Sequence, residues 1–106
     1  MATRSIVDIT PAQERILSDL LARHLPGVTV WAYGSRVKGT ARPASDLDLV
    51  VFATADQQAA VSELREACEE SNLPFRVDLF VWSEVPENFQ AAIKGEHAVL
   101  VPGEEA

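Results

Sequence analysis

The stretch Tyr33-Gly34-Ser35, followed after ten residues by Asp46-Leu47-Asp48-Leu49-Val50-Val51-Phe52, decides how this chain is read. Val28 to Tyr33 is β-branched and aromatic and ends at Gly34, which marks a strand running into a turn. Asp46 to Phe52 is a second strand. Side chains alternate along a strand, so Asp46 and Asp48 share one face while Leu47, Leu49 and Val51 share the other. Val50 and Phe52 continue the aspartate face with apolar groups. Two carboxylates therefore sit at one end of a strand whose remainder is apolar on both sides.

A third strand, Phe75 to Trp82, repeats the pattern, with Asp78 interrupting an apolar run. If it pairs beside the second strand with Asp78 level with Asp48, three carboxylates converge. Two unit charges ~5 Å apart repel by roughly 3 kcal/mol at an effective dielectric of about 20. Such a cluster destabilises the fold unless a cation binds between the acids or a proton is taken up. Mg²⁺ prefers oxygen ligands and commonly uses one or two carboxylates together with substrate phosphates. Two such ions can stabilise the attacking and leaving oxygens in phosphoryl chemistry.

The Gly34-Ser35 turn complements the acids. A glycine at a strand end lets the backbone approach a phosphate, and the following N–H groups and the Ser35 hydroxyl can be aimed at it. A helical turn beginning there would add a favourable field for an anion. Arg36, Lys38 and Arg42 give the Ser35–Ser45 segment a charge of +3 in a chain of net charge −7. A compact basic loop in an acidic protein suits a small anionic ligand, and the overall charge argues against a broad grip on a nucleic-acid backbone.

Outward from this centre, helix signals fill the remaining chain. Thr10 and Gln13 have capping-box spacing, Pro11 stands at the first helical position, and Ile16, Leu17, Leu20, Leu21 and Leu25 recur at helical spacing. Asp56 to Glu70 reads as a second helix with Val61, Leu64 and Cys68 on one face, which makes Cys68 a core residue. Pro86 to Lys94 reads as a third, with Phe89 and Ile93 four apart and Gly95 as its C-cap. His97 to Val101 forms a short last strand. The expected fold is a small mixed β-sheet flanked by helices, an α/β (α+β) arrangement in one domain spanning residues 1–106. Trp31, Trp82 and Phe89 are expected in the core, and His24 and His97 at the surface or at helix ends. The absence of an apolar leader, of a membrane-length run and of a second cysteine points to a cytoplasmic protein without membrane contact.

These motifs resemble the polymerase-beta-like nucleotidyltransferase superfamily. Its pattern is an apolar residue, Gly-Ser, a spacer of about ten, Asp-x-Asp on a strand and a third acid on a later strand. Within it, the run from Tyr33 to Leu49 looks like the minimal nucleotidyltransferase (MNT) domain, a group that includes antitoxins of HEPN/MNT toxin–antitoxin pairs. The resemblance implies the nucleotidyltransferase palm fold. It implies catalytic and metal-binding roles for Asp46, Asp48 and Asp78, with two Mg²⁺ ions, and nucleotide binding by Gly34, Ser35, Arg36 and Lys38. It further implies AMP transfer from ATP, as a protein adenylyltransferase, to a tyrosine of a cognate HEPN ribonuclease toxin, the role of a type VII-like antitoxin. Two rivals are an antitoxin that neutralises only by covering its toxin, and an adenylyltransferase acting on a small molecule such as an aminoglycoside.

Overall fold

In the computed structural model, residues 7–103 are described. Helix α1 (Pro11–His24) opens with the expected capping box: the Thr10 hydroxyl accepts from the Gln13 N–H, and the Gln13 side chain accepts from the Thr10 N–H. Strand β1 (Val30–Tyr33), a four-residue helix α2 (Ser35–Lys38), strand β2 (Leu47–Val51), helix α3 (Gln58–Glu69), strand β3 (Val77–Val81), helix α4 (Glu87–Gly95) and strand β4 (Ala98–Val101) follow. Short 3₁₀ turns, Ala55–Gln57 and Trp82–Glu84, lead into α3 and α4.

The four strands form one sheet in the order β3-β2-β1-β4. β1 lies antiparallel to both β2 and β4, whereas β2 and β3 are parallel, joined by the crossover through α3. The sheet is mixed, as its sequence suggested.

One face of this sheet holds the core. Leu17 and Leu21 of α1 and Val61, Leu64 and Cys68 of α3 pack against Val30, Ala32, Leu47, Leu49, Val51, Leu79 and Val81. Burial pushes the Cys68 thiol up to about 11, so it packs as a small hydrophobe and is no nucleophile at neutral pH. The register places Tyr33 opposite Asp48, and Asp48 beside Asp78, on the other face.

That second face is only partly covered. Trp31 stacks on His97 with ring centroids 3.8 Å apart and meets Phe52 edge-on at 4.7 Å. Phe52 in turn stacks on Trp82. Trp31 and Trp82 are thus half-buried in an aromatic layer and not in the main core. Phe89 departs further from expectation: it is 59% exposed, while Ile93, one turn on, is buried. Only one side of α4 reaches the sheet. Gly95 is also not the left-handed cap its position suggested. It closes the helix itself, and Glu96 follows in extended conformation with its N–H donating to the Ile93 carbonyl.

Candidate active site

The site is built where β1 ends, β2 begins and β3 runs alongside. Gly34 has φ 83° and ψ −156°, a backbone region essentially reserved for glycine. A Cβ built there would overlap the Asp48 carboxylate. Glycine is therefore required twice, by its own torsion and by the carboxylate resting against its bare backbone. Its carbonyl accepts from the N–H groups of Val37 and Lys38, which starts α2 at Ser35. Gly39 ends that helix in the left-handed conformation, so four residues suffice to turn the chain away.

Sequence reasoning grouped Arg36 with the phosphate-binding residues, and here the structure corrects it. Arg36 is only 5% exposed. Its Nε and Nη2 donate to the Ser45 carbonyl at 3.0 and 2.8 Å, Nη2 also reaches the Pro43 carbonyl at 3.0 Å, and Nη1 donates to the Asp8 backbone carbonyl at 2.8 Å. The guanidinium lies 4.1 Å from the Phe75 ring centroid. A buried charge needs such partners, and with them Arg36 fastens the loop between α2 and β2 to the segment before α1. Its work is to hold Ser45, and so the entry to Asp46, in place. Arg36→Ala is expected to lower stability by about 2–4 kcal/mol, through loss of several charged hydrogen bonds and orphaned carbonyls. Urea unfolding checks this; a change within about 0.5 kcal/mol would contradict it. Lys38, unlike Arg36, is exposed beside the turn.

Asp48 and Asp78 are abreast on adjacent parallel strands, and Asp46 stands at the mouth just before β2. Burial, then the charges of Asp78 and Asp46, hold the Asp48 carboxyl above its usual range, with Arg76 partly countering. Tyr33, opposite Asp48, is pushed up to about 12 by burial and by the same two carboxylates, Asp48 and Asp78, so its hydroxyl stays protonated.

Arg76 is the residue whose role sequence reasoning missed. It lies two positions before Asp78 on the same strand face. Its Nη2 is 3.2 Å from Asp46 Oδ2 and its Nε 3.2 Å from Asp78 Oδ1. Among the described residues no group of three acidic, histidine or cysteine side chains forms a closed metal cage. Two of the three carboxylates are instead drawn onto one cationic side chain. Their oxygen chemistry and their meeting on a shared cation fit Mg²⁺, which needs only one or two carboxylates when substrate phosphates complete its shell.

Beside the acids, a cleft of about 380 Å³ runs between the sheet and α4. Tyr33, Phe80, Val85, Pro86, Phe89 and Ile93 line it together with the acidic Glu84. Tyr33 belongs to both cleft and carboxylate cluster.

A family model for polymerase beta nucleotidyltransferases matches residues 16–105. The chain belongs to this nucleotidyltransferase family. It is 39% identical over 101 residues to a probable protein adenylyltransferase MntA of Haemophilus influenzae, covering 94% of this chain and 89% of that one. Among solved structures, a toxin–antitoxin crystallised with AMP-PNP superposes with a TM-score of 0.68 at 24% identity, over 86% of this chain and 74% of the other. An MNT antitoxin bound to a tri-AMPylated HEPN toxin of Shewanella oneidensis superposes with a TM-score of 0.59 at 18% identity, over 88% and 72%. At these identities the structural matches establish the nucleotidyltransferase fold. Among the described residues no helix of this nucleotidyltransferase is long and apolar enough to cross a membrane.

Proposed function

We propose that this nucleotidyltransferase moves AMP from ATP to a tyrosine hydroxyl of a HEPN ribonuclease toxin and thereby silences it. The observation that carries the reading is the register of Asp48 beside Asp78, under a glycine turn that admits no side chain. Identity of 39% to a probable protein adenylyltransferase supports a protein acceptor.

Asp46, Asp48 and Asp78 would hold Mg²⁺, which when bound neutralises the triphosphate and the charge that develops on its oxygens. Gly34 and Ser35 receive the phosphates on bare backbone and a hydroxyl, and Lys38 adds a cation at the edge. Arg36 serves the phosphates indirectly, by holding the loop. Asp78 orients the acceptor hydroxyl and takes its proton as the oxygen bonds to the α-phosphorus. The bond from that phosphorus to the β-phosphate's bridging oxygen breaks, and pyrophosphate leaves. Catalysis rests on positioning and preorganised charge.

The partner would bind the partly open face. Phe80 and Phe89, 46% and 59% exposed, line the same cleft, and a contiguous apolar patch left in solvent marks an interaction surface. Phe89→Asp is expected to leave the fold intact and weaken toxin binding by about tenfold or more, as truncation of an aromatic anchor does. Calorimetric titration of nucleotide-free protein with the toxin checks this; unchanged affinity would place the interface elsewhere.

Neutralisation in cells separates enzyme from binder. Co-expressed wild type should restore growth of cells carrying the toxin, and Asp46→Asn/Asp48→Asn should not. Rescue by the double variant would mean neutralisation by binding alone.

A further inference from the structure

We propose that Arg76 is a resident counter-cation that competes with divalent metal for the carboxylate cluster and keeps the site from loading metal without nucleotide. This rests on the reading of Asp46, Asp48 and Asp78 as cation ligands.

The geometry supplies the argument. Arg76 bridges Asp46 and Asp78, with one nitrogen 3.2 Å from each. Those oxygens are the ones an incoming ion would need. Arg76 is well exposed, with 69% of its side-chain surface in solvent, and its head group has no other acceptor among the described residues. It can therefore leave without breaking the core. Asp48, which lies deeper against Gly34, takes no direct part in the bridge.

A bare divalent ion must displace this guanidinium and give up part of its hydration for two or three carboxylates. An ion arriving on a triphosphate brings phosphate oxygens that complete its shell, and those same oxygens offer the displaced guanidinium new acceptors. The arrangement thus favours the metal–nucleotide complex over the free ion. It also relieves, in the metal-free protein, part of the repulsion between like charges.

Titration of the full, nucleotide-free chain with Mn²⁺, followed by the paramagnetic signal of the free ion at low ionic strength, tests this directly. Arg76→Ala is expected to bind Mn²⁺ about threefold to tenfold more tightly than wild type, the scale of two exposed ion pairs removed from competition. Arg76→Lys should stay close to wild type, because it keeps a cation at the same place. Arg23→Ala, which removes the same charge from α1 on the opposite side of the sheet, should shift affinity by less than twofold. In a parallel melt without nucleotide, saturating Mn²⁺ should raise the midpoint more for Arg76→Ala than for wild type.

Equal or weaker Mn²⁺ binding by Arg76→Ala would overturn the competitive role while leaving the carboxylates as a metal site. An equal gain in Arg23→Ala would also overturn it, by reducing the effect to net charge. Absence of Mn²⁺ binding at millimolar concentration by wild type and Arg76→Ala alike would overturn the metal-site reading itself.

Discussion

Asp46→Asn/Asp48→Asn is expected to lose nucleotidyl transfer by about a thousandfold or more while gaining thermal stability in the metal-free state. The loss follows from removing two of the three carboxylates on which the proposed chemistry depends. The gain follows from the same residues. Asparagine keeps the shape of aspartate and removes like charge from a cluster that Arg76 compensates only in part. Its scale is about 1 kcal/mol, or about 4–8 °C for a domain of this size.

The pH dependence gives the sign. Asp48 has its carboxyl raised above the ordinary value of 3.8 in the folded state, first by burial and then by Asp78 and Asp46. A raised acid binds its proton more tightly folded than unfolded. Its stabilising contribution is therefore complete below 3.8 and is lost as pH rises through the folded value. The difference in melting temperature between the double variant and wild type should accordingly be larger at pH 7 than at pH 4. Scanning calorimetry in chelator at both values checks it. A double variant less stable than wild type at pH 7 would mean the carboxylates are structural.

Gly34→Ala is expected to damage both fold and activity, with a stability loss of about 2–4 kcal/mol and transfer lowered by about a hundredfold or more. Two separate penalties meet at one methyl group. A backbone at φ 83° and ψ −156° strains any residue with a Cβ, and that Cβ would occupy the place of the Asp48 carboxylate. Relief requires either β1 to end differently or Asp48 to turn away from Asp78, and either movement separates the Gly34-Ser35 turn from the acids. Urea unfolding and single-turnover transfer check the two effects. Normal activity with lowered stability would show that Asp48 can move without loss, against the close packing of turn and acid.

Local pattern carried much of this architecture. Apolar spacing in α1 and α3 and the short apolar runs of β2 and β3, broken only by Asp48 and Asp78, depend on neighbours in sequence, so those elements were readable at once. The meeting of Asp48 and Asp78 was readable only as a condition. It needed β2 and β3 to be parallel neighbours, a tertiary fact settled by the α3 crossover.

What could not be read shares a cause. The four residues of α2 are too few for any periodicity. Arg36 and Lys38 look alike in a basic loop, yet one is buried under its own carbonyl ligands and the other is exposed, a difference fixed by Phe75 and Asp8 far along the chain. Phe89 and Ile93 share helical spacing, but α4 reaches the sheet along only one side, leaving Phe89 in solvent. For Arg76 a signal existed. Its place two residues before Asp78 put it on the acid face, and reading the strand for charge balance as well as for acids would have found it.

The most direct measurement is transfer of label from α-labelled ATP, with Mg²⁺, onto the proposed partner, a HEPN toxin supplied as purified protein, followed by peptide mapping of the labelled toxin. The expected result is label on a toxin tyrosine with wild type and none with Asp46→Asn/Asp48→Asn. Tight toxin binding by both proteins, with no label on the toxin from either, would contradict it.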